Sequence, residues 1–400
     1  MRNLASMRCP TCAAEYYLDL LAGNGLLTPM TLQASTGEVF GRDEAPWFAD
    51  WLADGFRSRE DTCPQITVES FRPIRRPLLV NTLDRLYGHG LLKLLSVQRE
   101  LDESPSHDII LMIPGELRWL VPDGVAEVWS VDWPLASGTR WSDGLDRWIH
   151  QRLSDFKEVR LSLSTPHPAP QDVSIDRFTG VRPFDPTGWQ NATERPVVTF
   201  IWRDDRVWPE PLPAGRWRQK LKAILGLDQA GMPTATKAQR LAVKTLAQRL
   251  HKRYPHLDFA LVGLGDPAPR SGPIQDLRTR TIDEATEKAW CQRYARSHVV
   301  VGVHGSNMLL PSAHAGAVID LMPRTRWPNL GQDLLLHDTD PRRELYRCRA
   351  VPASVSVDEI VRMIDDLLVN TASHLSQTRR EMPAFETRPI TQSAGQRMAA

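Results

Sequence analysis

Long apolar runs are absent from this 400-residue sequence. The longest, at 109–113 and 299–303, are far shorter than the ~20 residues that a membrane-spanning helix needs. The N-terminus has no apolar core of the kind found in secretory signals. These features predict a cytoplasmic protein without a transmembrane segment.

Cysteine is also scarce. The five cysteines are Cys9, Cys12, Cys63, Cys291 and Cys348, an odd number scattered through a long chain, which argues against a disulfide framework. The C-x-x-C pair at 9 and 12 is half of a zinc ribbon, but a structural zinc needs four ligands and no second pair or nearby histidine completes it. A reduced thiol pair at the surface is therefore preferred over a zinc site.

Acidic and basic residues nearly cancel, leaving a net charge of +1. No overall field draws the protein to nucleic acid or to anionic lipid, so a small-molecule or neutral polymer substrate fits better. The length exceeds what one hydrophobic core usually supports, which predicts at least two domains.

The pattern of the chain suggests where these domains lie. Residues 1–64 show no sustained period and are interpreted as an adapter segment. In 65–165, short apolar runs at 77–81, 108–113 and 125–131 alternate with helical spacing at 86–101, which predicts a small α/β domain. A linker rich in Pro, Gly and Asp is expected at 166–190, and the polar stretch 371–400 is expected to be a disordered tail.

Residues 191–370 repeat the alternation more clearly. Strand-like runs at 196–202, 257–264, 298–303 and 317–322 are separated by helical patterns at 236–254 and 281–296, and a helix at 357–369 closes the domain. A capping box, Thr281-x-x-Glu284, is expected to open the second of these helices. Near-continuous apolar strands between helices predict a parallel sheet covered on both faces, that is, a Rossmann-like domain.

Ligands of such sheets bind outside the carboxyl ends of the strands. The segments expected there contain arginines, glycines and a Ser/Asn pair, which suit a diphosphate. They are Arg203, Arg206, Gly263, Gly265, His304, Gly305, Ser306 and Asn307, with 323–324 after the last strand. Two alternatives stay open: the arginines pair with Asp204 and Asp205 at the surface, or residues 305–307 form an ordinary helix cap. Asp-Pro-Ala-Pro after Gly265 disfavours a nicotinamide site.

The run 297–311, SHVVVGVHGSNMLLP, followed by GAVIDLMP at 316–323, resembles a known signature. It is similar to the "GVHGAG…LP…VVEL.P" pattern of the glycosyltransferases that include plant xylan-decorating enzymes and the animal extracellular O-linked N-acetylglucosamine transferase. The resemblance implies the B-type fold: two Rossmann-like domains with a deep interdomain cleft. It assigns His304–Asn307 to the donor pyrophosphate, with Asp320 near the nucleotide where the family has Glu, and Arg203 to the diphosphate.

A second match lies in the first domain, where 81–93 is similar to the family's "N-Y-x-H-W-x-x-D" stretch. His89 matches the family histidine, but Lys93 stands in place of the acid. His89 is thus the candidate general base, Asp84 is the nearest alternative carboxylate, and a capping or core role for His89 is the competing interpretation.

The function expected is a glycosyltransferase, of the hexosyl- or pentosyltransferase kind, acting in polysaccharide biosynthesis. It would move a sugar from a nucleotide-diphosphate donor to a hydroxyl of a glycan or other acceptor, with inversion, with no metal or other cofactor and no nucleic-acid partner. Trp119, Trp129 and Trp133 are candidate sugar platforms. One alternative is a catalytically silent nucleotide- or carbohydrate-binding protein. Another is a metal-dependent A-type transferase using Asp338 and Asp340.

Overall fold

The computed structural model describes residues 2–43, 45–166, 173–210, 232–267, 272–332, 334–335 and 347–381. The helices are α1 (Pro46–Arg57), α2 (Tyr87–Glu103), α3 (Asp143–Leu153), α4 (Asp176–Thr179), α5 (Met232–Arg253), α6 (Glu284–Arg296), α7 (Leu309–His314) and α8 (Val357–Glu381). Among these residues, no helix is both long and apolar enough to cross a bilayer.

Three sheets organise the described part of the chain. The first contains β1 (Leu4–Arg8), β2 (Glu15–Asp19), β3 (Thr31–Gln33) and β4 (Val39–Phe40), paired antiparallel in that order. The segment 1–64, which was interpreted as an adapter segment without a sustained period, contains this sheet with α1 packed on it. Leu32, Ala49 and Leu52 belong to its own small core. Its strands are too short and too exposed for apolar alternation to reveal them in the sequence.

The second sheet spans Gln65 to Leu161. Its strands are β5 (Gln65–Ser70), β6 (Pro77–Asn81), β7 (Asp108–Pro114), β8 (Glu127–Asp132) and β9 (Arg160–Leu161), in the order β5-β8-β7-β6-β9. The last four are parallel, and β5 joins the edge antiparallel. Counted from β6, the parallel strands follow the order 3-2-1-4, so the direction of winding changes between β6 and β9.

The third sheet is entirely parallel. Its strands are β10 (Val197–Trp202), β11 (Asp258–Gly263), β12 (Ile274–Asp276), β13 (Val299–Val303), β14 (Val318–Met322) and β15 (Cys348–Pro352). They lie in the order β12-β11-β10-β13-β14-β15, which is 3-2-1-4-5-6 in chain order, the order of the Rossmann fold. The predicted α/β class with two Rossmann-like sheets is confirmed by these two strand orders.

The strands of this sheet read as unbroken apolar runs because both of their faces are covered. Helix α5 and α8 contact each other, and Leu246 and Ile360 share one core cluster with Phe200. On the other face, Trp290 of α6 belongs to a second cluster with Ile201 and Val300.

Two helix ends differ from the sequence-based expectation. Asp283, rather than Thr281, caps α6, because its carboxylate accepts a hydrogen bond from the Thr286 amide at 2.8 Å. Helix α8 continues to Glu381, past the boundary at 370 where the tail was expected to begin.

The described part of the expected linker, 173–190, combines exposed residues with a few buried side chains. Phe178 and Trp189 are buried, the first in the cluster that contains Ile201 and the second in the cluster that contains Phe200. The cluster that contains Phe178 also joins Leu94 of α2 to Leu309 of α7, so the two α/β units share apolar contact. Truncating a fully buried leucine such as Leu309 to alanine should cost about 2–5 kcal/mol.

Candidate functional site

The winding of the third sheet changes between β10 and β13, and this is where open α/β sheets bind their ligands. Arg203 follows β10 directly, and His304 follows β13. The two strands are hydrogen-bonded neighbours, with Ile201 opposite Gly302. The segments that the sequence singled out therefore meet at the switch point.

Both arginine side chains converge on Gly305. Arg203 donates from Nη1 to Oδ1 of Asn307 at 2.6 Å, and Arg206 donates from Nη1 to the carbonyl of His304 at 2.7 Å. Gly305 has φ = +147°, and a Cβ added there would collide with the Nη1 atoms of both arginines. Only glycine permits this backbone conformation and this approach. The result is two guanidinium groups held over one stretch of backbone.

The alternative in which the arginines pair with Asp204 and Asp205 is realised only for Asp205. Asp205 accepts from Nε and Nη2 of Arg203 at 2.8 and 2.6 Å, whereas Asp204 accepts from the indole of Trp202. Burial acts to raise the pKa of Asp205, but the hydrogen bonds and charges of Arg203 and Arg206 outweigh it and lower that pKa. An ionised carboxylate thus occupies the Nε and Nη2 edge of Arg203, so a diphosphate that binds there must displace Asp205 or use the donors of Arg203 that remain.

Gln239 of α5 holds the arginine loop in place, and sequence reasoning did not identify it. Its side chain is fully buried; it donates to the carbonyl of Arg203 at 2.8 Å and accepts from the Trp208 amide at 2.8 Å. The sequence did contain a signal for this role: Gln239 is a polar residue on the face of α5 that turns toward the sheet. A buried amide needs hydrogen-bond partners, so such a residue is expected to hold neighbouring backbone in place.

His304 and Asp320 lie beneath the site rather than in it. Nδ1 of His304 is 2.7 Å from Oδ2 of Asp320, and both side chains are fully buried. Their strands are paired, with Gly302 opposite Asp320. This pairing orients the backbone whose carbonyl receives Arg206, so His304 contributes to the site through its main chain.

Gly263 and Gly265 lie at the carboxyl end of β11, next to β10. Gly263 has φ = +128° and lies against the carbonyl of Trp202, and a Cβ on Gly265 would be 3.4 Å from the carboxylate of Asp204. The two glycines therefore lie along the same edge as Arg203.

His89, Asp84 and Lys93 form a second group, in the loop after β6 and on α2. Nδ1 of His89 lies 3.6 Å from Oδ1 of Asp84, and the His89 side chain is 22% exposed. Lys93 is 1% exposed and donates to Oδ2 of Asp84 at 2.8 Å. Burial alone would raise the pKa of Asp84, but the charge of Lys93 and the contact with His89 hold it well below its ordinary value.

The lysine at position 93, where the sequence comparison led us to expect an acid, therefore does not leave His89 without a neighbouring carboxylate. Asp84 lies beside the ring of His89, and Lys93 keeps Asp84 ionised. Asn24, from the N-terminal sheet unit, completes the group by donating to Oδ2 of Asp84 at 3.1 Å.

The two groups of residues approach each other where α2 begins. Gly88, which precedes His89, packs so closely on Ser306 that an added Cβ would lie 2.6 Å from the Ser306 Cβ. Nearby, Glu287 of α6 accepts from the Tyr87 hydroxyl at 2.6 Å and from the Trp119 indole at 2.7 Å. The first turn of α2 is thus fastened to the third-sheet unit.

Two of the candidate sugar platforms are occupied elsewhere. Trp129 is fully buried in the core of the second sheet, and the Trp119 indole donates to Glu287. Trp133 packs, partly buried, against the cluster that contains Trp129.

The candidate metal ligands lie in two separate places. Cys9 and Cys12 are both thiols at the turn between β1 and β2. In the described ranges, no three His, Cys, Asp or Glu side chains are grouped so that they could hold a metal ion. Asp338 and Asp340 lie outside the described residues.

No protein-family model matches the sequence, and no curated protein matches it either. Among solved structures, ADP-heptose lps heptosyltransferase II of E. coli is similar, with 12% identity and a TM-score of 0.41 over 74% of this chain and 100% of that chain. A similarity this low decides neither fold nor function. The Rossmann-like assignment rests on the strand order of the third sheet.

Proposed function

We propose that the protein is a glycosyltransferase whose donor, a sugar nucleotide, places its diphosphate between Arg203, Arg206 and the backbone at Gly305. The observation that carries the proposal is the convergence of both guanidinium groups on Gly305 at the switch point of the third sheet. Guanidinium forks and closely approached backbone are what recognise a diphosphate.

In this proposal His89 is the general base. Asp84 lies beside Nδ1, so Nε2 is the ring nitrogen that takes the proton of the acceptor hydroxyl. The hydroxyl oxygen then forms a bond to the anomeric carbon, and the bond from that carbon to the diphosphate oxygen breaks. Arg203 and Arg206 stabilise the charge that develops on the departing diphosphate. Direct displacement of this kind inverts the anomeric configuration.

His304 and Asp320 have a supporting role in this mechanism. Because both are fully buried, we assign them to positioning the carbonyl that receives Arg206, while Ser306 and Asn307 border the diphosphate. Gly263 and Gly265 let the backbone after β11 pack closely on Trp202, which places both glycines along the edge that we assign to the donor.

A thermal-unfolding screen against UDP, GDP, CDP, ADP and dTDP, with magnesium and with EDTA, tests the donor site. A nucleotide at ~100 times its dissociation constant should stabilise the protein by ~2.7 kcal/mol. Loss of one charge-assisted hydrogen bond in Arg206→Gln should weaken binding by about tenfold to hundredfold. Arg253→Gln, which removes an exposed arginine paired with Asp365 in the same unit, is the matched control.

The result that overturns the proposal is a screen in which no nucleoside diphosphate stabilises the protein, or in which Arg206→Gln and Arg253→Gln behave alike. Binding of a nucleotide without release of it from any sugar-nucleotide donor would instead support the silent binding protein. A strict requirement for magnesium would favour the metal-dependent alternative.

A further inference from the structure

A cavity of about 690 Å³ lies on the N-terminal side of the molecule. Its base is formed by residues at or near the carboxyl ends of β6, β7 and β9, namely Asn81, Met112 and Leu161. Its walls come from β1, α1 and α3. It therefore sits at the point where the winding of the second sheet changes, the position at which such sheets bind ligands.

Four aromatic side chains line this cavity: Tyr17, Phe48, Trp51 and Trp141. Tyr17 and Trp141 support each other edge to face, with ring centroids 4.8 Å apart. Phe48 and Trp51 are in similar contact on α1. Rings fixed in this way offer large rigid surfaces for the apolar faces of a flat or cyclic ligand.

Arg85 gives the cavity a positive charge. Its guanidinium lies over the Trp51 ring, 4.8 Å from the centroid, and has no ion pair with any residue that the structure describes. The other two arginines of the lining are paired, Arg2 with Asp19 and Arg140 with Glu60. Arg85 is an exposed residue of the lining, and a guanidinium without a carboxylate partner in that position is suited to a ligand that carries an anionic group.

The acids that line the cavity are already engaged. Asp143 accepts from the indole of Trp141 at 2.9 Å, and Asp146 lies 3.4 Å from the His150 ring. Their remaining oxygens can accept hydrogen bonds from ligand hydroxyls. The lining thus combines aromatic faces, hydroxyl acceptors and one arginine without an ion-pair partner among the described residues, the combination that recognises a sugar acid or a sugar phosphate.

The cavity also adjoins the candidate base. Asp84 and Asn24, which are joined to each other and lie beside His89 and Lys93, form part of the lining. His89 itself does not line the cavity, so Asp84 is the member of this group that a ligand hydroxyl in the cavity meets first.

We propose that this cavity binds the acceptor of the transfer reaction, and that the acceptor is a saccharide bearing a carboxylate or phosphate group held by Arg85. This inference rests on the proposed glycosyltransferase function. It also gives the N-terminal sheet unit a definite role, since that unit supplies most of the aromatic wall.

Glucose, glucuronic acid and glucose 6-phosphate are suitable probes because they share one ring and differ at carbon 6. Binding to the full-length protein, without nucleotide, is measured by saturation-transfer NMR titration at low salt. The charged probes should bind at least about tenfold more tightly than glucose, the factor expected from one charge-assisted hydrogen bond. Binding of only the acid or only the phosphate identifies which anion the pocket prefers.

Arg85→Gln should remove the preference for the charged probes. Arg59→Gln is the matched control, because Arg59 also stacks on an aromatic ring, that of Phe56, but does not line the cavity. Equal binding of glucose and the charged probes to the unmodified protein overturns the inference, as does an unchanged preference in a folded Arg85→Gln. Because the first comparison needs no variant, the inference is tested even where Arg85→Gln fails to fold.

Together with the nucleotide screen, the sugar-binding experiment distinguishes failure of this inference from failure of the proposed function. If nucleoside diphosphates bind and the sugar probes do not, the acceptor inference is wrong and the donor site stands. If the charged probes bind and no nucleotide does, the cavity is a saccharide site of a protein that is not a sugar-nucleotide transferase.

Discussion

Lys93 donates to Asp84 at 2.8 Å inside the protein, and both side chains are almost fully buried. Position 93, where an acid was expected, carries a lysine. Its ammonium group instead holds the carboxylate of Asp84 beside His89. Because an uncompensated buried charge is costly, each member of the pair depends on the other.

Lys93→Met should therefore destabilise the protein in a pH-dependent way. In the native protein, the depressed pKa of Asp84 gives stability that is present above the unfolded value of ~3.9 and is lost only as the pH falls below it. Without Lys93, burial raises that pKa above the unfolded value, so the variant loses stability as the pH rises. We expect a loss of about 3–5 kcal/mol at pH 8 that shrinks toward pH 5.

Urea unfolding of the variant and the native protein at both pH values measures this difference. Lys244→Met, on the exposed face of α5, is the control and should change little at either pH. A loss from Lys93→Met that is equal at pH 5 and pH 8 would contradict the burial of an ionised pair.

Gly305→Ala should abolish nucleotide binding because the added Cβ collides with both arginine side chains. Gly180→Ala is the matched control: Gly180 also has a positive φ, +66°, but its Cβ would meet nothing within 4 Å. Both variants carry backbone strain, and only Gly305→Ala displaces the guanidinium groups. Thermal unfolding with and without the stabilising nucleotide separates the effects, and a nucleotide response retained by Gly305→Ala would argue against the site.

His89→Gln should reduce turnover by about 10²–10⁴-fold, the usual contribution of a general base, while nucleotide affinity stays the same. His256→Gln, at an exposed position of the other α/β unit, should leave turnover unchanged. The measurement is release of nucleoside diphosphate from a donor with a saturating acceptor. Full activity in His89→Gln would show that another group acts as the general base.

Cys9 should react with iodoacetamide faster than Cys63 at pH 7.5. Hydrogen bonds from the backbone of Cys12 and Thr11 lower the pKa of Cys9, whereas burial raises that of Cys63. Since the thiolate is the nucleophile, we expect the lower pKa of Cys9 to outweigh the greater exposure of Cys63. Mass spectrometry of timed samples gives both alkylation rates. If zinc co-purifies with the protein and protects Cys9 and Cys12 from alkylation, the two thiols are zinc ligands rather than a free pair.

Much of the third sheet could be predicted from the sequence. The apolar runs at 196–202 and 298–303 correspond to β10 and β13 within a residue, because strands buried on both faces must be apolar throughout. Since parallel strands end at one edge, the residues that follow them, Arg203 and His304 among them, are assigned to a ligand-binding edge by their position in the sequence.

Which of those strand ends are neighbours, and which side chains face the ligand, depends on the tertiary structure. The order 3-2-1-4-5-6 sets β10 beside β13, and so brings Arg203 to Asn307, although the two are distant in the chain. The same strand order buries His304 with Asp320. The sequence could not show this, because a histidine at a strand end has the same sequence pattern whether its side chain faces the ligand or the core.

The fold class and most strands of the two α/β units thus follow from the amino-acid sequence alone, because local periodicity and the apolar character of buried segments specify them. The short or partly exposed strands β5, β12 and β15 were not predicted, since they lack such a pattern. The packing of the N-terminal sheet, the Lys93–Asp84 pair and the aromatic cavity around Arg85 depend on contacts between residues far apart in the chain. No local pattern encodes such contacts, since each arises only when separate elements fold against one another.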